Sequence, residues 1–195
     1  MYRNYIKRPL DFCIAVALMP FVLILSILVW IAIKIDDSGP LWYMAYRLGK
    51  DGKTFRMFKF RSMIVNAPDI RLEDGCTYNA EDDPRVTKVG RFLRKSSIDE
   101  IPQLINVLIG QMSLIGPRPD LPSDLELYNK DEQIILTVRP GMTGWNQAVN
   151  RNSVGAKEKL QADIYYVNHL SFLLDLKIVW LTVKSIIAHK DVYRA

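Results

Sequence analysis

Charged residues are missing from one long stretch of this chain, and that gap is the strongest pattern in it. From Phe12 to Ile33 nothing is charged. A run of about 20 apolar residues is the length that reaches across a bilayer core as a helix. The stretch is too long for a signal-peptide core, and no small-residue cleavage site follows it before Asp36-Asp37. Pro20 lies inside the run, where its missing N–H removes one helical hydrogen bond and can bend the axis. Arg3, Lys7 and Arg8 precede the run and argue for a cytoplasmic N-terminus. A plain span would then place the remaining, basic part of the chain outside. A re-entrant segment would leave both ends on the cytoplasmic face, and the charge pattern and the proline together favour it.

Beyond Pro40 the period shortens. Residues 41–47 and 54–60 read as strands flanking Gly49-Lys50-Asp51-Gly52-Lys53, a hairpin turn. In the second arm Phe55 and Met57 face one side, with Lys59 following them, and Arg56, Phe58 and Phe60 face the other. Residues 66–84 are polar, contain Pro68, Gly75 and Pro84, and read as a mobile loop. Helical periodicity returns at 86–93 and again at 98–108, the second with Ser96 or Ser97 as N-cap and Glu100 within the first turn. A proline-rich loop, 110–122, leads to a short helix near 124–136 and to a rigid turn at 139–145. Helices are predicted over 157–168 and 172–188; the latter is apolar enough, with Trp180 at its middle, to pack in a core or to lie in the membrane interface.

Length and composition narrow the possibilities. The chain has 195 residues, enough for one domain with a buried core plus an appendage. The predicted architecture is α/β: a re-entrant membrane helix in residues 1–35, then a small, mixed, mostly helical cytoplasmic domain in 36–195 with a short β-hairpin and interfacial amphipathic helices. A net charge of +5 suits anionic headgroups or phosphorylated substrates. The cations are dispersed, and no nucleic-acid module accompanies them, so no nucleic-acid partner is expected. Cys13 and Cys76 make neither a disulfide framework nor a metal site, and His169 and His189 lack zinc-ligand spacing.

Candidate chemistry gathers around Ser96-Ser97-Ile98-Asp99-Glu100-Ile101-Pro102. Two adjacent carboxylates follow the basic residues Arg91, Arg94 and Lys95. A carboxylate pair beside fixed cations is what phosphoryl chemistry needs, one oxygen to attack or hold a metal and positive charge to stabilise phosphate oxygens. Arg118 follows in Gly116-Pro117-Arg118-Pro119, where two prolines stiffen the backbone around one guanidinium. Lys59, in Lys59-Phe60-Arg61-Ser62-Met63, and Arg94 are further phosphate-binding candidates. Arg139, Thr143 and Gln147, around Arg139-Pro140-Gly141-Met142-Thr143-Gly144, are candidates for donor binding or loop structure.

Taken together, these motifs resemble the bacterial sugar transferases, and more narrowly the small monotopic phosphoglycosyl transferases that start glycan assembly on polyprenyl phosphate. The resemblance runs from Lys7-Arg8-Pro9-Leu10-Asp11-Phe12 to Ser171-Phe172-Leu173-Leu174-Asp175-Leu176-Lys177. It implies transfer of a sugar phosphate from a UDP-sugar to polyprenyl (undecaprenyl) phosphate, with UMP leaving. It also implies that Asp99 is a nucleophile that attacks the β-phosphate to give a phosphosugar-aspartyl intermediate, which the lipid phosphate resolves, with Glu100 as its acidic neighbour. The family uses Mg²⁺ near this dyad, which makes Asp99 the candidate metal ligand. The implied setting is the cytoplasmic face of the bacterial inner membrane, with phospholipid and downstream glycosyltransferases as partners.

Two places depart from the family pattern. The membrane segment usually carries Ser-Pro at its middle; here that place holds Leu23-Ile24, with Pro20 a turn earlier. After Trp145 the chain reads Asn146-Gln147-Ala148-Val149-Asn150-Arg151-Asn152 and lacks a family glycine, so Asn150 is a candidate for positive φ. A membrane-anchored scaffold without catalysis is the competing reading, and the intact dyad argues against it. With a single apolar run, and without the extra N-terminal helices of larger relatives, the chain reads as a minimal catalytic unit.

Overall fold

The computed structural model describes residues 1–70, 78, 80, 82–150 and 154–187. Cys76, His189, Arg151, Asn152 and the centre of the polar 66–84 stretch lie outside the described residues. Among the described residues, one helix is long and apolar enough to cross a membrane. It begins as a wide turn, Tyr2–Ile6, and continues as α1, Lys7–Asp36, about 45 Å long at 1.5 Å per residue. The helix is unbroken through Pro20. Ser26, the only serine or threonine within the charge-free run, donates its hydroxyl to Val22 O. It therefore does not cover Val16 O, four residues before the proline, which loses its partner there.

The burial pattern of α1 is unlike that of a free membrane span. Lys7, Asp11, Ala15, Val22, Ser26, Val29 and Ile33 are buried, at spacings of three, four and seven, and such spacings fall on one helical face. Ala15 and Val22 pack with Phe55, Met57, Leu104 and Val107. Val29 and Ile33 pack with Phe60 and Leu93. The opposite face leaves Phe12, Phe21, Leu23, Ile27, Leu28, Trp30 and Ile31 exposed. Both ends are fixed by polar contacts. At the N-terminal end Lys7 Nζ lies 2.6 Å from Asp175 Oδ2, Arg8 donates to Val107 O and Leu108 O, and Asp11 accepts from Ser113 Oγ and Leu114 N. At the other end Asp36 accepts from Val89 N, and Asp37 pairs with Arg61.

The expected hairpin is present. Strands β1, Trp42–Leu48, and β2, Thr54–Phe60, pair antiparallel from Trp42↔Phe60 to Leu48↔Thr54. Asp51 and Gly52 supply the positive φ that the turn requires. Phe55 and Met57 are buried as the alternation predicts, and Phe60 is buried as well, because its face meets α1 and Leu93. Helix α2, Lys88–Lys95, starts at Thr87, whose Oγ1 accepts from Gly90 N. A Cβ on Gly90 would sit 1.9 Å from Ser62 O, so glycine is what lets α2 approach the chain leaving β2 so closely.

The expected helix over 98–108 is two pieces: a tight turn at Ile98–Glu100, then α3, Gln103–Leu108. Ser97 is left-handed (φ 58°) and caps nothing with its side chain, and Pro102 has no N–H with which to continue the first piece. The 124–136 helix is likewise two 3₁₀ turns, Pro122–Leu127 and Glu132–Thr137. A second, unforeseen sheet pairs β3, Ser113–Ile115, in parallel with β4, Gly141–Thr143. Helix α4, Trp145–Val149, then leads to α5, Ala156–Asn168, and α6, Phe172–Ile187. Asn150, the candidate for positive φ, has φ −106° and simply ends α4, its N–H donating to Asn146 O.

Asp175 also accepts from the Tyr2 and Tyr166 hydroxyls. Lys7→Met leaves that carboxylate buried without its cation, a change that costs about 3–5 kcal/mol. We expect a clear drop in melting temperature in nanodiscs, and substantial recovery when Asp175→Asn is added. Equal melting of Lys7→Met and wild type would show that the pair does not hold the helix.

Candidate active site

The dyad occupies the turn between α2 and α3. Strand β2 brings in Lys59, and the rigid Gly116–Pro119 segment, docked on β4 by Gly116 N→Thr143 O and Gly141 N→Pro117 O, brings in Arg118. The two cations converge on one carboxylate oxygen: Lys59 Nζ lies 2.6 Å and Arg118 Nη2 3.1 Å from Glu100 Oε1. Arg94, from the last turn of α2, donates Nε to Ser62 Oγ at 3.0 Å. Asp99 is buried, with 9% of its surface exposed. Among the described residues no hydrogen bond or ion pair reaches its carboxylate.

The neighbouring acids are therefore driven apart. Burial pushes Asp99 up to about 6, against the pull of Lys59, Arg94 and Arg118 and with a contribution from the Glu100 charge. Burial also acts to raise Glu100, but the Lys59 and Arg118 charges and hydrogen bonds outweigh it and hold this carboxyl well below the usual range. Near neutral pH the site holds two ionised carboxylates, one neutralised and one bare. The bare one is the better placed to attack phosphorus or to hold a metal ion.

Of the weaker sequence candidates, Arg139 and Thr143 make contacts within the fold. Arg139 donates Nε to Gly110 O at 2.8 Å, gripping the turn after α3 that Arg8 grips through Val107 and Leu108. Thr143 Oγ1 shares a 2.8 Å hydrogen bond with Thr182 Oγ1. Both amide atoms of Gln147 are buried, without a hydrogen-bond partner among the described residues. Sequence reasoning missed Asn106, fully buried on α3, which accepts from Phe58 N and donates to Arg56 O. That side chain ties the helix after the dyad to the strand that carries Lys59.

It also missed a second carboxylate cluster next to Arg118. Asp120 pairs through Oδ1 with Lys159 and through Oδ2 accepts from the Tyr128 hydroxyl. Nearby Asp163 is 1% exposed, and among the described residues neither of its oxygens has a hydrogen-bond partner. Burial pushes Asp163 up to about 7, with help from Asp120 and against Lys159 and Arg118. A signal for Asp163 existed in the sequence: an acid among the inward positions of a helix, one turn beyond Lys159.

With this geometry in place, comparison with known proteins identifies the lineage. Residues 2–189 match the family model described as bacterial sugar transferase. The chain belongs to the bacterial sugar transferase family. This sugar transferase is 38% identical to the exopolysaccharide production protein ExoY of Sinorhizobium fredii, over 96% of its own length and 88% of the relative's. It is 36% identical to an undecaprenyl-phosphate galactose phosphotransferase of Salmonella typhimurium, covering 97% of this chain and 42% of that protein. It is also 36% identical to a UDP-N-acetylgalactosamine-undecaprenyl-phosphate N-acetylgalactosaminephosphotransferase of Aeromonas hydrophila, covering 94% and 44% respectively. The chain thus spans less than half the length of these two phosphotransferases.

Asp163 yields a pH test. Its proton is held more tightly folded (about 7) than unfolded (3.8), so stability falls as pH rises across that window and the loss is complete above it. Asp163→Asn removes the ionisation. Its melting temperature should exceed that of wild type by several degrees near pH 8, with a smaller gap near pH 5. A gap that does not grow with pH would place the ordinary carboxylate value on Asp163.

Proposed function

We propose that this sugar transferase moves a sugar phosphate from a UDP-sugar to polyprenyl phosphate, through a covalent intermediate on Asp99. The observation that carries the reading is the asymmetry of the dyad: Glu100 pairs with both Lys59 and Arg118, and among the described residues no cation pairs with the adjacent, buried Asp99. The printed names of the relatives, which join undecaprenyl phosphate, sugar phosphotransfer and exopolysaccharide production, support the same chemistry.

In the first step an Asp99 oxygen attacks the β-phosphorus of the donor. The bond from that phosphorus to the bridging oxygen breaks, UMP leaves, and the sugar phosphate stays as an acyl phosphate. In the second step an oxygen of polyprenyl phosphate attacks the same phosphorus and frees the Asp99 carboxylate, giving the polyprenyl diphosphate sugar. Two steps let a soluble donor and a lipid acceptor use one site in turn. Lys59, Arg94 and Arg118 neutralise the donor and acceptor phosphates, and Glu100 orients Lys59 and Arg118. The donor set fits Mg²⁺, which favours one or two carboxylates plus substrate phosphates over a full protein cage, and among the described residues no cation forms an ion pair with the Asp99 carboxylate. When bound, the ion would neutralise charge on the donor diphosphate.

Residues 1–35 serve as the membrane-inserted segment and 36–195 as the catalytic domain on the cytoplasmic face of the inner membrane. The full-length buried stripe on α1 supports a monotopic arrangement, because a helix fastened at both ends to one domain does not stand upright in a bilayer with that domain at one end. Its exposed apolar face then lies among acyl chains, and the α6 surface around Leu173, Leu176 and Trp180 meets the interface.

Asp99→Asn should keep the fold and membrane binding and lose turnover; retention of more than about 1% of UMP release would assign the attack elsewhere. Donor supplied without lipid should leave labelled sugar phosphate on Asp99 of the wild type. For topology, single cysteines at Tyr2 and Ser38 should both react from the cytoplasmic side of inner-membrane vesicles. Labelling from opposite faces would establish a spanning helix.

A further inference from the structure

The two arginines buried deepest in this domain are each held by a carboxylate and by backbone carbonyls. Arg61 pairs with Asp37 and donates to Pro40 O and Met63 O, and Arg85 pairs with Asp83 and donates to Pro68 O and Tyr78 O. Arg47, half-buried near the end of β1, is different. Among the described residues its one hydrogen bond runs from Nη1 to the carbonyl of its neighbour Tyr46, at 2.9 Å, and no carboxylate pairs with it. Burial pulls the Arg47 pKa down and the Arg118 charge adds to that, against Tyr43, Asp120 and Asp124. Both of those acids hold other donors: Asp120 pairs with Lys159 and accepts from the Tyr128 hydroxyl, and Asp124 accepts from Leu121 N and Ser123 Oγ.

We propose that Arg47 is the cation of a single phosphate subsite, used by the departing α-phosphate of the donor and then by the attacking phosphate of the lipid. The inference rests on the transferase reading. Its geometry comes from the hairpin. The β1–β2 register sets Tyr43 opposite Lys59 and Arg47 opposite Phe55, so Arg47 and Lys59 stand on the same face. That face brings Lys59 to Glu100. The end of β1 is also tied to the segment that carries Arg118, because Leu48 N donates to Asp120 O at 2.8 Å. Arg47 therefore stands beside the Arg118 segment without a carboxylate of its own.

The chemistry requires a cation in such a place. When Asp99 attacks the β-phosphorus, the bond to the bridging oxygen breaks, its electron pair stays on that oxygen, and the α-phosphate gains negative charge. Attacking and leaving oxygens at phosphorus lie roughly in line. UMP therefore departs on the side opposite Asp99, and the lipid phosphate that later displaces Asp99 enters from that same side. Both phosphates pass through one position. Lys59 and Arg118 are partly neutralised by Glu100. Arg47 carries no such partner, and its Nε and Nη2 are uncommitted among the described residues, which leaves a planar fork for phosphate oxygens.

The test uses the full chain in nanodiscs with polyprenyl phosphate, Mg²⁺ and the UDP-sugar that wild type turns over fastest. Arg47→Met keeps an unbranched apolar stem and removes the charge, and Arg47→Lys keeps the charge and removes the fork. For Arg47→Met, UMP inhibition should weaken by about tenfold or more, and the KM for polyprenyl phosphate should rise in step. Added salt should weaken UMP inhibition of this variant less steeply than that of wild type, since one ion pair is gone. Arg47→Lys should fall between the two. UMP inhibition of Arg47→Met within about twofold of wild type, or an unchanged salt dependence, overturns the assignment. Weakened UMP inhibition with an unchanged KM for polyprenyl phosphate overturns the shared subsite, with the transferase reading intact. Wild type that releases UMP from no UDP-sugar defeats the transferase reading, and this inference with it.

Discussion

A single apolar helix fastened to the domain along its whole length is the constraint on which the rest of this structure depends. Its buried stripe supplies part of two of the three hydrophobic clusters, and the polar contacts at its ends reach α2, α3, β3 and α6. Lys7 and Asp175 are costly to bury separately, and their pairing, with Tyr2 and Tyr166 completing the acceptor sites of the carboxylate, makes their burial tolerable. Arg8 acts differently, by capping the last carbonyls of the short helix that follows the dyad. The helix long and apolar enough to cross a membrane also holds, by its inner face, the helices on either side of the turn that carries Asp99 and Glu100.

The dyad solves an electrostatic problem by unequal sharing. Two adjacent carboxylates, one buried and one half-buried, repel, and two cations divided evenly between them would pair both. The structure instead places Lys59 and Arg118 on a single oxygen of Glu100, and burial outweighs their more distant pull on Asp99. A carboxylate with a value near 6 is still mostly ionised at neutral pH, yet more basic than an exposed aspartate, and both properties suit the proposed nucleophile. Arg118 can hold Glu100 and still face outward because its backbone is fixed by flanking prolines and by the β3–β4 pairing.

Much of this was legible in the sequence, where the determinants are local. A 22-residue stretch without charge specifies a helix long and apolar enough to cross a membrane. The hairpin followed from period-two alternation and a Gly-Lys-Asp-Gly turn, and the family from the ordered motifs around Asp99, Arg118 and Arg139. What the sequence left open depends on partners distant along the chain. Helical periodicity around residue 100 gave no warning of a left-handed Ser97, because the break is set by where α2 and α3 must pack. Nothing local marks Arg139 as a brace for the Gly110 turn, or Asn106 as the link from α3 to β2. The sequence by itself determined that an apolar helix of membrane-spanning length precedes a dyad flanked by cations. Only the tertiary structure decided which carboxylate receives those cations and which is left bare, because burial and charge pairing are set by groups 18 and 41 residues apart in the chain.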